Sequence, residues 1–195
     1  MDDVVVVTID RPEKRNAMNA EMVVGLRTEI ERAPDENAAA VVVTGTGSAF
    51  CSGQDLSDRY RPAGEPPPDL GASIESAWNP LIRAIRGSPI PIVTAVNGAA
   101  AGAGCNLALA GHAVVAGRSA WFSEAFTRVG LMPDSGGTWL MSRAVGRARA
   151  LGAMLLAGGI DAATAADWGL VSDVVDDDEL LPAAVARVKE MGRGV

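Results

Sequence analysis

Residues 90–110 constrain this chain more than any other stretch. A β-branched run, Ile90–Val96, passes into Asn97-Gly98-Ala99-Ala100-Ala101-Gly102-Ala103-Gly104 and then into the small, apolar segment Cys105–Ala110, broken only by Asn106. Such a run is too apolar for a surface. Asn97, Asn106, His112 and the many Gly and Ala also make it a poor membrane span. It fits a buried strand (Ile90–Val96), a glycine-alanine turn (Asn97–Gly104) and a small-residue helix from near Ala103 to Ala110. The chain has 22 glycines, and they cluster at 98–104 and 130–146, which marks them as positional rather than linker residues.

The rest of the chain alternates in the same way. Val4–Ile9 reads as a strand closed by Arg11-Pro12, and Glu13–Asn16 as a polar loop. Asn19 caps a helix from about Ala20 to Arg32 that Pro34 stops. Ala39–Thr44 is a second strand, followed by the turn Gly45–Ser48. The segment 57–72, with Arg59, Tyr60, Arg61, Pro62, Gly64 and Pro66–Pro68, is the most loop-like part of the chain. A helix spans about Ile74 to Arg86, a strand Ala113–Ala116, and a helix broken at Gly146 runs from Gly136 to Gly158. Thr164–Trp168 is a short helix, Val171–Val175 a strand and Glu179–Met191 an amphipathic helix. Alternating strands and helices imply an α/β fold, here one domain over 1–195 without an internal repeat.

Composition removes several function classes. Lys and Arg number 17 against 24 Asp and Glu, a net charge of −7, which argues against a non-specific nucleic-acid binder. One His and two Cys do not build the usual zinc site or a disulfide framework. Free thiols and the lack of a secretory leader point to a cytoplasmic protein, without a membrane partner.

The chemistry lies in two turns and one acid. Cys51-Ser52-Gly53-Gln54-Asp55 and Gly98–Cys105 each deliver backbone amides. Two such amides aimed at one point form an oxyanion hole, which stabilises charge developing on a carbonyl oxygen. The same turns also serve tight strand–helix packing with no ligand. In Leu131-Met132-Pro133-Asp134-Ser135-Gly136-Gly137-Thr138-Trp139, Asp134 is either an ordinary helix N-cap or a general base beside a pocket, with Met132 and Trp139 desolvating it. Other motifs fail. Leu107 stands where a dinucleotide fingerprint needs its third small residue. Pro133 spoils the nucleophile elbow before Ser135, and no phosphate-binding Gly-Lys-Ser/Thr occurs. His112, at the opening of an apolar strand, reads as structural.

Together these features resemble the crotonase, or enoyl-CoA hydratase/isomerase, superfamily. The matching text is Ile9–Asn19, Phe50–Leu56, Ala95–Ala108 and Gly130–Thr138, in the family's order and spacing. The resemblance implies a crotonase-like spiral of β-β-α units, assembled as a homotrimer or dimer of trimers. It implies an acyl-CoA thioester as substrate, with no separate cofactor and no metal. The backbone N–H groups of Gln54 and Ala103 match the oxyanion donors. Arg15 and Lys14 match the region that meets the CoA phosphates, and Ser52 and Asp55 lie where the family holds the adenine and shapes the first turn.

In hydratases of this family two glutamates flank a water; here those positions are Asn106 and Phe126, which lie along the substrate. Glu124 is two residues from the second position and shares its face only if that segment is a regular strand. Asp134 matches the single aspartate of the isomerase branch, with the closest likeness to the ring-epoxide phenylacetyl-CoA isomerases. The expected function is therefore an acyl-CoA isomerase acting through a thioester enolate. The alternatives are an enoyl-CoA hydratase of fatty-acid β-oxidation and a non-catalytic CoA-binding paralogue. Family members continue with further helices over the acyl pocket, so the resemblance also implies a domain lacking the last of them.

Overall fold

The computed structural model describes residues 4–59, 62, 64–66 and 68–192. Strand β1 (Val4–Ile9) pairs in parallel with β2 (Ala40–Gly45), and helix α1 (Ala20–Asp35) crosses between them. The Asn19 side chain accepts from the Met22 amide at 2.9 Å and starts α1. Pro34 lies inside the last turn of α1 rather than ending it, because a proline so near the terminus forfeits only one ladder bond.

Three successive ββ pairs follow: β2 with β3 (Ala49–Cys51), β4 (Ile92–Val96) with β5 (Ala99–Ala101), and β6 (Ala113–Gly117) with β7 (Trp121–Ser123). Each pair gives one strand to each of two sheets. The larger sheet runs β1-β2-β4-β6-β9, the last strand being Asp173–Val175, and is parallel throughout. The smaller runs β3-β5-β7-β8, its last strand, Ile160–Asp161, antiparallel. Helices carry the chain from one turn to the next. α2 (Leu70–Ser73), a π turn and α3 (Asn79–Arg86) follow β3; α4 (Ala103–Ala110) follows β5; α5 (Gly137–Leu156) follows β7. The chain closes with β8 (Ile160–Asp161), α6 (Ala162–Asp167), β9 (Asp173–Val175) and α7 (Leu180–Gly192). This is the expected spiral of β-β-α units.

Period-two patterning decides which face each strand residue takes. Val41 and Val43 of β2 join the main core, whereas Ala40 and Val42 join Val93, Ala95 and Val115 under Leu180, Ala184 and Val188 of α7. Both faces of the large sheet are thus covered, which is why its strands read as unbroken apolar runs. α4 is buried on every side. A Cβ on Gly104 would stand 2.0 Å from the Cys51 carbonyl oxygen, so only glycine lets α4 start against β3.

Several expectations need correction. The smaller sheet was not foreseen: β5 forms inside what reads as one turn, and β3, β7 and β8 have only two or three residues each, too short to show a period. The helix expected from Ile74 begins at Leu70, where the Asp69 side chain accepts from the Ala72 amide at 2.9 Å. Of the stretch 57–72, Tyr60, Arg61, Ala63 and Pro67 lie outside the described residues, and a 3-10 turn over Leu56–Arg59 replaces part of the expected loop. The expected break at Gly146 is present, with φ 76° and ψ 166° inside α5. His112 has a structural place: its Nδ1 accepts from the Ile92 amide at 3.0 Å and its own amide donates to the Ile92 carbonyl, fixing the start of β4.

Candidate active site

The two amide turns converge on one cavity. The Met18 amide donates to the Gly53 carbonyl at 2.8 Å and the Asp55 amide to the Met18 carbonyl at 2.9 Å. In that parallel bridge the peptide groups on either side of Gln54 face Met18, so the Gln54 N–H points the other way. Ala103 is the first residue of α4, and its N–H therefore has no partner within the helix. Gly53, with φ +95°, brings the turns together: a Cβ there would stand 3.3 Å from the Ala103 nitrogen and 2.8 Å from the Ala101 carbonyl oxygen. Gly102, φ 55°, donates its N–H to the Ser123 carbonyl and turns β5 into α4. Gln54 and Ala103 both line a cavity of about 130 Å³, whose apolar lining includes Phe126, Val129 and Leu131 and which also contains Asp134.

Asp134 reaches that cavity because its backbone is anchored behind it. Its carbonyl accepts from the Gly137 amide at 2.8 Å and from Asn106 Nδ2 at 2.9 Å. Ser135 (φ 48°) and Gly136 (φ 78°) then turn left-handed in succession, and Ser135 Oγ donates to Asp134 Oδ1 at 2.8 Å. Gly136, not Asp134, takes the N-cap position of α5, and no side chain caps that helix, so the N-cap alternative fails. The expected desolvation by Met132 and Trp139 also fails. Met132 is 79 % exposed and Trp139 49 %, the latter stacked under the Arg143 guanidinium. Apolar cover comes instead from Phe126, Val129 and Leu131.

The remaining expected residues divide into wall and support. Ser52 lines the cavity, its amide donating to the Arg15 carbonyl and its hydroxyl to the Lys14 carbonyl. The exposed side chains of Lys14 and Arg15 are thereby held on a loop bound to the cavity edge. Phe126 is wall. Asn106 is off the wall: it is wholly buried, and its amide works on the Asp134 carbonyl. Asp55 is also off the wall; its carboxylate is taken up by Arg11 Nη1 at 2.6 Å and by the Ser57 amide and hydroxyl. Trp78 Nε1 donates to Gln54 Oε1 at 2.7 Å, which fixes the Gln54 side chain.

Sequence reading gave no role to Arg11 or Asn16. Arg11 bonds the Ala17 carbonyl as well as Asp55, and Asn16 Nδ2 bonds the carbonyls of Thr46 and Ala49. The only signal for them was their place in the Ile9–Asn19 block.

The Ser57 and Arg11 hydrogen bonds hold the Asp55 pKa down from 3.8 to about 2. Its folded pKa is lowered, so its contribution is full above the unfolded value and is lost as pH falls through about 2. Asp55→Ala is expected to cost about 2 kcal/mol of stability at pH 7. The difference from wild type should shrink between pH 4 and pH 2, as measured by urea denaturation; an unchanged midpoint at pH 7 would contradict it.

Burial pushes the Cys51 thiol up to about 12 and raises Cys105 as well, so neither serves as a nucleophile. Glu124 does not share a regular strand with Phe126: β7 ends at Ser123 and a 3-10 turn, Ala125–Val129, begins. Its carboxyl is wholly buried and off the cavity wall, with both oxygens lacking a hydrogen-bond partner. Burial and the nearby Asp134 charge raise its pKa to about 7.

Two convergent amides, an acid and an apolar wall on a β-β-α spiral define a class. The model of the enoyl-CoA hydratase/isomerase family matches residues 1–194, and the chain belongs to that family of enzymes. It is 47% identical over 184 residues to the 1,2-epoxyphenylacetyl-CoA isomerase of Escherichia coli, covering 93% of this chain and 70% of the relative. It is 36% identical over 191 residues to the 2,3-dehydroadipyl-CoA hydratase of the same organism, covering 97% and 72%. Among solved structures, an enoyl-CoA hydratase from a Polaromonas species superposes with a TM-score of 0.88 at 33% identity, covering 98% of this chain and 75% of that one.

Proposed function

We propose that the protein is an acyl-CoA isomerase that moves a proton through a thioester enolate. The thioester oxygen sits between the N–H groups of Gln54 and Ala103. Asp134 removes a proton from a carbon of the acyl group, and the electron pair moves onto the thioester oxygen, where the two amides stabilise it. Asp134 then returns the proton at another carbon of the conjugated system, and the double bond moves. No net oxidation occurs and no water is consumed. Phe126, Val129 and Leu131 keep water from the enolate. Lys14 and Arg15 meet the CoA phosphates beside Ser52, while Asp55 serves by holding the turn that carries Gln54.

The observation that supports this reading is that Asp134 is the one carboxylate among the described residues lining the cavity. Hydration across a double bond wants an acid and a base around one water. Here one hydratase position is the apolar wall residue Phe126, and the other, Asn106, is spent on the Asp134 carbonyl. The similarity to the Escherichia coli isomerase adds a candidate substrate, the ring-epoxide of phenylacetyl-CoA.

The test offers the protein that epoxide, a cis-3-enoyl-CoA and a trans-2-enoyl-CoA in deuterated water. Rearrangement or double-bond migration with deuterium entering the enolisable carbon is expected. Formation of 3-hydroxyacyl-CoA from the trans substrate, without migration, would replace this reading by the hydratase.

A further inference from the structure

We propose that Glu124 is a positioning residue that works as a neutral acid, donating its carboxyl O–H to Asn106 Oδ1 so that the Asn106 amide stays aimed at the Asp134 carbonyl. This deepens the isomerase reading and rests on it for the role of Asp134.

The geometry sets up the chain of contacts. Glu124 is wholly buried at the end of β7, and neither carboxyl oxygen has a hydrogen-bond partner. Asn106, also wholly buried, has its Nδ2 committed to the Asp134 carbonyl and its Oδ1 without any donor. The Asn106 amide faces the Glu124 carboxyl, and its N–H there lowers the Glu124 pKa, though by less than burial raises it. It is confined from the other side, since a Cβ on Gly137 would stand 2.4 Å from Nδ2 and 2.6 Å from Oδ1. An ionised Glu124 offers only acceptors and leaves the Oδ1 acceptor orphaned beside it. A protonated Glu124 supplies the one donor missing from this group and satisfies both residues.

The surroundings favour the proton. From α4, Glu124 faces Asn106 and the thiol of Cys105; from the turn before α5, it faces the carboxylate of Asp134. Arg128, on the same 3-10 turn, gives its guanidinium to the Ala157 carbonyl at 2.7 Å. No ion pair reaches Glu124 among the described residues. A buried carboxyl with a like charge nearby and no cation keeps its proton, and burial lifts this one to about 7.

The consequence is an alkaline limit on catalysis that does not arise from the base. When Glu124 ionises, its oxygens attract the Asn106 N–H groups, and the Asp134 carbonyl loses its side-chain donor. The left-handed turn at Ser135 and Gly136 is then held by fewer bonds, and the carboxylate leaves its working position.

The experiment is the pH profile of deuterium exchange for wild type, Glu124→Gln and Glu124→Leu. In wild type, kcat is expected to fall roughly tenfold from pH 6 to pH 9 with KM unchanged, the scale of one buried hydrogen bond. Glu124→Gln keeps a donor toward Asn106 at every pH, so its kcat should match wild type at pH 6 and stay level to pH 9. Glu124→Leu should be slow throughout. The infrared difference between wild type and Glu124→Gln should contain the carbonyl band of a protonated carboxylic acid at pH 6, lost by pH 9. An alkaline fall that survives in Glu124→Gln, or a wild-type band of ionised carboxylate at pH 6, overturns the proposal. Failure of the isomerase reading is visible separately, as water addition in place of migration. The same profiles are then read on that reaction.

Discussion

Asp134→Asn is expected to reduce solvent-deuterium exchange at the enolisable carbon by about 10³-fold, within the range that a positioned general base contributes. Acyl-CoA affinity should change little, because the amide donors and the apolar wall are untouched. Asparagine is close to isosteric, and its side-chain oxygen still accepts from Ser135 Oγ, so the left-handed turn has no cause to rearrange. The backbone carbonyl at position 134 keeps both donors, Gly137 N and Asn106 Nδ2, whatever the side chain. The measurement is exchange by mass spectrometry beside a titration with a non-reacting acyl-CoA. Exchange retained within tenfold of wild type would remove Asp134 from the mechanism. Loss of exchange together with binding would make its role structural.

Ala103→Pro tests the other half of the site and is expected to cost 10²- to 10³-fold in kcat, the usual price of one oxyanion donor. The substitution suits the backbone at the start of the helix. Proline at the first position of a helix has a suitable φ and gives up an amide that makes no intrahelical bond. The preceding residue is Gly102, with ψ −128°, which tolerates a following proline. What disappears is the N–H aimed at the cavity, and the proline ring occupies its place. Unchanged thermal stability with lost turnover is the expected pair of results. Undiminished turnover in a folded protein would mean that the thioester oxygen is held elsewhere.

The large sheet was legible because its strands are apolar on both faces, and runs such as Val4–Ile9 and Ile92–Val96 need no period to be seen. The small sheet was not. Ala99–Ala101 makes strand bonds with flanking segments that carry no signal of their own, so tertiary pairing alone defines it. At the site, glycines betrayed the turns, because close backbone approach leaves no room for a Cβ. Gln54, Ala103 and Asp134 were reachable by that route and by the family blocks. Asn106 was assigned to the substrate because sequence spacing reports which helix turn a residue occupies, not which side it faces. From sequence, Glu124 is a substitute for the second hydratase acid only on a regular strand. Its actual environment depends on a 3-10 turn that begins one residue later and on the charge at Asp134, ten positions away in sequence. Arg11 and Asn16 pair with residues 30 to 44 positions distant, which no local pattern reveals.

Helix α4 has no solvent-facing side, and this bears on how such an enzyme diversifies. A residue change along Gly104–Ala110 meets packed neighbours, and at Gly104 it meets the Cys51 backbone itself. The turn that carries the Ala103 amide is therefore closed to gradual mutation, while Val129, more than half exposed, and the half-buried Leu131, which line the same cavity, are open to it. Selection acting on this scaffold has a fixed reaction core and an adjustable acyl boundary. New acyl groups can be recruited by drift at the boundary without the two amide turns being rebuilt each time.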